Sequence, residues 1–398
     1  MVELLSPAGD FEKLKIALHY GADAIYFGGQ DFGLRANAKN FSNEEIKAAV
    51  ELAHSLDKKV YVTVNIVFHD EDFAGLEAYL KYLDEIKVDA IMVSDIAVLD
   101  LCNKWNLKMA RYISTQASIL NHEAAKFYQE LGASRIVLAR EAMKEDIVKI
   151  KQAIGLELEA FTHGAMCTCI SGKCILSNYC TNRDSNRGGC AQICRWSFKY
   201  INATNKKKIA EGFQMSPKDL NMIPYFKEML EAGIYSFKIE GRMRSIYYIA
   251  TVLHTYRELL KKISNNTLTS AYTNLSQNIL NRCANRESVP QFFNKMPGAS
   301  EQYYLDVREE QSNQDFLGLV VDNQEGIITI EQRNNFKVGD KVQFFGPELE
   351  TLSYTIKELY DENLKPIKVA PHAQMLVKIK AGLPLIANDM MRIKVFDI

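Results

Sequence analysis

The stretch FTHGAMCTCISGKCILSNYCTNRDSNRGGCAQICRW, residues 161–196, holds six of the eight cysteines of the chain. Four of them form two pairs with irregular spacing: Cys167 and Cys174 have six residues between them, and Cys190 and Cys194 have three. Glycines lie in and beside the pairs, and glycine permits the tight turns needed where several thiolates converge on one inorganic centre. The pattern indicates a site with four cysteine ligands. Two further cysteines of the stretch are Cys169 and Cys180.

Three kinds of cysteine site could explain this pattern. Disulfides are not expected, because the N-terminus has no secretory-signal pattern and cytosolic thiols stay reduced. Structural zinc usually takes cysteine pairs separated by two to four residues, so the six-residue gap fits poorly. An iron–sulfur cluster tolerates irregular spacing. The spacing therefore favours an iron–sulfur cluster and leaves zinc and scattered free thiols as alternatives.

Around this stretch, residues 1–263 alternate short apolar segments with amphipathic ones. The predicted strands are Val2–Leu5, Ala24–Phe27, Val60–Asn65, Ala90–Ser94, Met109–Ser114, Arg135–Leu138, Leu156–Thr162 and Tyr235–Glu240. Eight strands with intervening helices predict an α/β, TIM-like (β/α) barrel, with a doubly wound open sheet as the alternative. The cysteine-rich insertion, residues 163–234, follows the seventh strand. It therefore leaves from the face where such barrels carry their active sites.

Polar residues end most of the predicted strands, and parallel strands bring these ends to one face of a barrel. They are Ser6, Gly28-Gly29, Asn65, Ser94-Asp95, Thr115-Gln116, Arg140-Glu141, His163 and Glu240. A single polar strand end often does no more than meet solvent. A whole set of polar strand ends beside a cysteine-rich insertion predicts a functional site at the mouth of the barrel.

The composition is that of an ordinary globular protein, with 47% hydrophobic and 24% charged residues. No apolar run has the length of a membrane span, so we expect a cytoplasmic protein without membrane partners. The net charge of -1 gives no sign of nucleic-acid binding. An RNA substrate would need a local basic face. The motifs GxSxG and HExxH, typical of serine hydrolases and zinc peptidases, are absent from the sequence.

The composition changes after residue 263. Residues 264–278 are rich in Ser, Thr and Asn and predict a polar connection, which we extend to residue 314. From residue 315 to 398, short apolar segments alternate with turn residues such as Gly326 and Gly339. This pattern predicts a small C-terminal all-β barrel domain.

The cysteine stretch resembles the signature of peptidase family U32, long called collagenase-like peptidases. The matching motifs are HGAMC at 163–167, LSNY at 176–179, RDSNRG at 183–188 and CAQICRW at 190–196. The likeness extends to LLSPAG at 4–9, STQAS at 114–118, SPKDL at 216–220 and KIEGRMRS at 238–245. The chain departs from the family at 286–293, where RESVPQFF stands in place of an aromatic-glycine motif.

The resemblance implies a function. Members of the family are understood as RNA and quinone hydroxylases that carry a 4Fe-4S cluster, here held by Cys167, Cys174, Cys190 and Cys194. The subgroup with a C-terminal domain is implicated in 5-hydroxyuridine formation at the wobble position of tRNA, with prephenate as oxygen donor. The resemblance also implies a translation-factor-like fold for the C-terminal barrel.

A donor with carboxylates and an RNA substrate both require cations at the mouth. The candidate substrate-binding residues are Arg183, Arg187, Arg195, Arg242 and Lys238. Salt bridges within the protein are the alternative use of these side chains. His163 and Glu240 are the candidate catalytic residues, because they end strands seven and eight.

Two other functions stay open at this point. The historical family name implies a peptidase, for which Cys167 and His163 would form the nucleophile pair. A thiolate bound to iron is not a free nucleophile, however. The other alternative is a non-catalytic RNA-binding protein in which the cluster is only structural.

Overall fold

The computed structural model of the chain describes residues 2–34, 40–205, 208–283, 286–303 and 314–395. The strands of its first part are β1 (Glu3–Pro7), β2 (Ala24–Gly28), β3 (Lys59–Val64), β4 (Ala90–Val93), β5 (Ala110–Ile113), β6 (Arg135–Val137), β7 (Glu157–Gly164), β8 (Phe198–Ile201), β9 (Lys208–Phe213), β10 (Asp219–Asn221) and β11 (Ser236–Ile239). Strands β1 to β7 and β11 pair in parallel, and β11 pairs with both β1 and β7. The closed barrel confirms the predicted fold and excludes the open sheet.

The helices lie around the barrel, apart from a short one in the cysteine-rich insertion. They are α1 (Phe11–His19), α2 (Asn43–Ser55), α3 (Leu76–Glu85), α4 (Ile96–Lys104), α5 (His122–Glu130), α6 (Lys144–Ala153), α7 (Leu176–Thr181), α8 (Phe226–Glu231), α9 (Ile246–Ser264) and α10 (Ser270–Cys283). Helix α2 shows how local sequence sets a boundary. Ser42 accepts a hydrogen bond from the Glu45 backbone N–H, and the Glu45 side chain accepts one from the Ser42 N–H. This capping box satisfies two backbone donors that a helix start leaves unpaired.

Helix α10 lies within the predicted polar connection. The composition of residues 264–278 did not indicate its structure, and Ser270–Cys283 is helical. Helix α10 packs against α9 and buries Ser276 and Leu280, so tertiary packing outweighs the low helix propensity of its Ser, Thr and Asn residues. After it, β12 (Ser288–Val289) pairs in parallel with β10.

The C-terminal part is all-β, as predicted. Its strands are β13 (Phe316–Gln324), β14 (Ile327–Gln332), β15 (Phe336–Lys337), β16 (Lys341–Gly346), β17 (Leu349–Thr355), β18 (Leu359–Asp361), β19 (Pro366–Ile367), β20 (Val369–Ala370), β21 (Leu376–Lys380) and β22 (Met390–Ile393). Eight of them form one antiparallel sheet around a core of its own, and β15 pairs with β20. The sheet contacts the barrel through Tyr20 of α1, whose hydroxyl donates to the carbonyls of Phe345 and Asn388, each at 3.1 Å.

The barrel interior carries a network of buried charges at its amino-terminal end. Arg135 is fully buried and forms ion pairs with Glu3 at 2.6 Å, Glu157 at 2.7 Å and Glu159 at 3.2 Å. Lys238 pairs with Glu159 at 2.9 Å. Burying a charge is costly unless it is paired, so these five side chains depend on one another.

We therefore expect Arg135→Ala to destabilise the protein strongly, by about 3–5 kcal/mol, because it leaves buried glutamates without their cation. Urea unfolding followed by circular dichroism measures the loss. Lys104→Ala is the control, since Lys104 is 65% exposed in its ion pair with Asp100, and surface pairs contribute at most about 1 kcal/mol. Equal unfolding midpoints for the two variants would contradict the prediction.

Candidate functional site

The cysteine-rich insertion leaves the barrel directly after β7. Gly164 ends this strand with φ +114°, and a Cβ there would lie 2.4 Å from the carbonyl oxygen of Glu240. Only glycine fits this position. The chain returns through β10, in which Leu220 and Asn221 pair antiparallel with Gly164 and His163. Both ends of the insertion are thus fixed at one point of the barrel rim.

The insertion spreads from there over the carboxyl ends of other strands. Above β3, the Val67 N–H donates to the Asn186 carbonyl at 3.1 Å, and Arg187 forms a two-pronged ion pair with Asp72. Above β6, the Ser171 N–H donates to Glu141 Oε1 at 3.0 Å. These contacts place the insertion over the mouth of the barrel. The predicted position at the carboxyl face is confirmed.

Five of the six cysteines of the insertion lie close together. Burial raises the pKa of the Cys167 thiol, and the neighbouring Cys174 and Cys190 raise it further. Burial and a hydrogen bond with Cys174 raise the pKa of Cys169 to about 12. Burial and the neighbouring Cys167 raise the pKa of Cys194 to about 11. The chain therefore gathers more thiols than the four-cysteine pattern requires.

Backbone donors point at two of these sulfurs. The Cys169 N–H donates to Cys167 Sγ at 3.5 Å, and the Leu176 N–H donates to Cys174 Sγ at 3.4 Å. Asn186 fixes the backbone of Cys174 by accepting from its N–H at 3.1 Å and donating to its carbonyl at 3.0 Å. Such N–H groups stabilise negative charge on ligand sulfur and tune iron–sulfur centres.

The donor set fits a metal–sulfur centre. Grouped thiols raise one another's pKa because their thiolates repel, and a bound cationic centre removes that repulsion and releases the protons. Thiolates are also the usual ligands of iron–sulfur clusters. Within the described ranges, no group of three or more His, Cys, Asp or Glu side chains is arranged to hold a metal ion, so the fit rests on the number and kind of the thiols. Cys167, Cys174, Cys190 and Cys194 as cluster ligands stay a prediction, and the exposed Cys180 is not among the grouped thiols.

His163 lies at the end of β7 in a buried, aromatic environment, and its catalytic role stays a prediction. Its side chain is buried against the rings of Tyr248 and Tyr256 of α9, with both centroids at 5.9 Å. Burial, together with the charge of Arg244, lowers its pKa to about 3. The imidazole is therefore neutral at pH 7 and unable to act as a general acid. This environment favours a structural role for His163.

The structure gives different environments to the predicted cations. Arg187 is engaged by Asp72, which holds the pKa of this arginine above its usual value. Lys238 lies inside the barrel, with Nζ 2.9 Å from Glu159 and 4.2 Å from the ring centroid of Tyr26. Arg187 therefore anchors the insertion and Lys238 neutralises the barrel core. A substrate role for these two residues stays a prediction without support from their contacts.

The other three predicted arginines lie in the insertion or at the mouth. Arg183 is exposed, and Arg195 donates to Gln192 Oε1 at 2.5 Å. Arg242 follows β11 and is 5% exposed; its Nη2 donates to Asn40 Oδ1 at 2.8 Å. A Cβ on Gly28, at the end of β2, would lie 2.8 Å from the same nitrogen. Of the predicted cations, Arg242 is the one whose contacts place it across the barrel rim.

A cluster of buried charges lies at the start of β10. Asp219 is buried at the start of β10 and pairs with Arg286 at 2.9 Å and Arg244 at 3.1 Å. Burial raises the Asp219 pKa, whereas the arginines oppose this rise; Glu240, the other catalytic candidate, is a charged neighbour that adds to it. The motif SPKDL contains Asp219, but its partners lie 25 and 67 residues further along the chain. No local signal connects them.

Comparison with known proteins places the chain in a family. The family model described as peptidase family U32 matches residues 9–303, and that of the peptidase family U32 C-terminal domain matches residues 312–392. The chain belongs to peptidase family U32. The family membership predicted from the cysteine motifs is confirmed.

Relatives within this family carry different names. The chain is 43% identical to tRNA hydroxylation protein P1 of Bacillus subtilis, over 98% of this chain and 94% of that protein. It is 36% identical to a collagenase of Porphyromonas gingivalis, over 67% of each chain. It is 37% identical to a 23S rRNA 5-hydroxycytidine synthase of Escherichia coli, over 66% of this chain and 40% of that protein.

No helix in the described ranges combines the length and the apolar character that a membrane crossing needs.

We expect anaerobically purified protein to be brown and to contain about four irons and four sulfides per chain. Alanine at Cys167, Cys174, Cys190 or Cys194 should abolish the iron and the visible absorption, because each change removes a ligand. Cys180→Ala is the control that should retain both. Cys169→Ala should also retain them, and loss of iron in this variant would show that the fifth thiol is a ligand. Stoichiometric zinc without visible absorption would contradict the cluster.

Proposed function

We propose that this protein hydroxylates C5 of the wobble uridine of tRNA, with a 4Fe-4S cluster held by Cys167, Cys174, Cys190 and Cys194 and with prephenate as oxygen donor. One observation carries the proposal: grouped thiols lie over a barrel mouth in a chain that resembles tRNA hydroxylation protein P1 along almost its whole length. The rRNA 5-hydroxycytidine synthase among the relatives has a name that specifies the same position of a pyrimidine ring.

The proposed reaction replaces the hydrogen on C5 by a hydroxyl group. The base loses two electrons, and the donor, which gives up the oxygen, gains the same two. When bound, a 4Fe-4S cluster held by four cysteines would supply electron transfer, because four thiolates leave no iron open to the donor. The chain itself has to hold the anionic donor, present the base and exclude water from the mouth.

The insertion offers an exposed surface for RNA. Tyr179 of α7 is 83% exposed and Trp196 is 47% exposed. They belong to the same surface region, because α7 packs against the turn Ile193–Arg195. Exposed aromatic rings bind single-stranded RNA by stacking on its bases, and nearby arginines such as Arg183 contact the backbone. The wobble nucleotide lies in a single-stranded loop, which suits this surface.

The peptidase alternative has the collagenase name in its favour. A cysteine peptidase needs a histidine within hydrogen-bond reach of its nucleophile. His163, the histidine of the motif, packs against two tyrosines instead, and its Nδ1 is buried without a hydrogen-bond partner. The contacts of His163 therefore count against the Cys–His pair that peptide cleavage would need.

Deletion of the gene should remove 5-hydroxyuridine from digested tRNA, measured by mass spectrometry, and wild-type protein should restore it. Cys167→Ala should fail to restore it. An unchanged modification level in the deletion strain would overturn the proposal and favour an RNA-binding or assembly role. Cleavage of gelatin by cluster-free protein would favour the peptidase.

Substitution of the predicted arginines tests the substrate site. Arg242→Ala should abolish 5-hydroxyuridine while leaving the iron content intact, because Arg242 lies at the rim beside Asn40 and is not among the predicted cluster ligands. Arg183→Ala and Arg195→Ala should lower the modification with the cluster retained. Arg187→Ala is the contrast, since loss of its pair with Asp72 should loosen the insertion and lower the iron content. Wild-type modification in all four variants would show that these arginines are structural.

Removing an exposed ring should weaken RNA binding. Tyr179→Ala and Trp196→Ala should each raise the Kd for tRNA about tenfold, since stacking contributes about 1–3 kcal/mol per base. Leu56→Ala is a matched control, because Leu56 is 51% exposed at the end of α2, on the barrel exterior. Filter binding measures the affinities, and equal Kd values for the three variants would exclude this surface.

A further inference from the structure

We infer that Arg140 forms an anion-binding subsite beneath the cysteine-rich insertion and holds a carboxylate of the small organic co-substrate. The identity of the ligand rests on the proposed function. The existence of the subsite rests on the contacts of Arg140 and its neighbours.

Arg140 lies three residues beyond β6, at the carboxyl face of the barrel. Its guanidinium carbon is 4.0 Å from the ring centroid of Phe161 in β7. The ring covers one face of the guanidinium plane and fixes its orientation. The donor edge of the guanidinium remains available for a planar acceptor.

The insertion forms the other side of this space. A Cβ on Gly172 would lie 4.0 Å from Arg140 Nη1 and 3.2 Å from Gln116 Nε2. The guanidinium of Arg140 and the amide of Gln116, which follows β5, therefore both face the turn Ile170–Gly172. This turn ends two residues before Cys174. Two donor groups from different strand ends thus meet beside Gly172, at a distance that leaves little space for a side chain at this position.

Arg140 differs from the arginines that are structurally engaged. Arg135 and Arg187 both pair with carboxylates. Within the described ranges, Arg140 has no salt bridge, and its buried Nε has no hydrogen-bond partner. A buried donor of a charged group that lacks a partner is costly, so such a group in a mouth points to an absent anion.

Two more polar atoms without partners lie beside it. They are Glu141 Oε2 and Ser171 Oγ, both buried. The other carboxylate oxygen of Glu141, Oε1, accepts from the Ser171 N–H. The carboxylate is thus directed at the turn and forms no ion pair with Arg140. A few unsatisfied buried groups per 100 residues are usual. Arg140 Nε and Ser171 Oγ can donate to an anion, whereas Glu141 Oε2 can only accept, so it would take a hydroxyl or another donor of the same ligand.

A carboxylate fits this subsite better than an RNA phosphate. A guanidinium fork and a neighbouring amide match the two oxygens of a planar carboxylate. The subsite lies beneath the insertion, whereas the RNA-binding surface proposed above is on its exposed side, at Tyr179 and Trp196. The small co-substrate therefore occupies the inner position, next to the thiols, and the RNA approaches from outside.

Equilibrium dialysis of prephenate against anaerobically purified holoprotein tests the inference. Arg140→Gln should raise the Kd at least tenfold, because it removes a charge-assisted hydrogen-bond pair, and Arg140→Lys should recover part of the affinity. The iron content and the Kd for tRNA should equal those of wild type. Arg333→Gln is the matched control, since Arg333 lies in the C-terminal part and pairs with Glu331 at 2.9 Å. Its prephenate Kd should be unchanged.

Three results would overturn the inference: a prephenate Kd within twofold of wild type in Arg140→Gln, loss of iron in both Arg140 variants, or weaker tRNA binding with prephenate binding intact. The last result would assign Arg140 to the RNA backbone. The proposed function fails separately. If Arg140 controls prephenate binding but the deletion strain keeps its 5-hydroxyuridine, the subsite stands and the tRNA reaction does not.

Discussion

A short antiparallel pairing determines where the chemistry of this molecule is placed. Leu220 and Asn221 pair with Gly164 and His163, so the insertion leaves and rejoins the barrel at the same point of its rim. Because both ends are fixed there, the residues between them can extend only across the mouth. The pair of Arg187 with Asp72 and the bond from Ser171 to Glu141 hold the far sides. The grouping of the thiols follows from these attachments, since every cysteine of the group lies between them.

Buried cations have different partners below the cysteine-rich insertion and at the carboxyl ends of the strands. Below the cysteine-rich insertion, Arg135 and Lys238 are neutralised by the buried carboxylates of Glu3 and Glu159. At the level of the strand ends, Arg140 stacks on Phe161 without a carboxylate partner. The lower half of the barrel thus pairs its charges internally, whereas the upper half has buried polar atoms without hydrogen-bond partners. A net charge of -1 for the whole chain conceals this separation.

The sequence was informative wherever the signal is local. Apolar segments at regular spacing predicted all eight barrel strands to within a few residues, and the density of cysteines located the insertion. Pairings between distant charges were not predictable. Lys238 and Arg187 carry the same charge as Arg242, and only the fold shows that Glu159 and Asp72 engage the first two. The sequence likewise does not specify that Asp219 pairs with both Arg244 and Arg286. Nor did polar composition reveal helix α10, because one side of this helix is buried by its neighbour.

Helix α9 serves two neighbours at once. On one side, Tyr248 and Tyr256 pack against His163 at the rim; on the other, Tyr247 stacks on Phe316 at 5.0 Å and His254 lies 5.6 Å from Phe345. The β-sheet therefore covers the outer side of α9, a side that an outer helix of a barrel normally exposes to solvent and fills with polar residues. A chain shortened to the barrel would expose Tyr247 and His254 of α9 to water. It would lose solubility even though the carboxyl face of the barrel was unchanged.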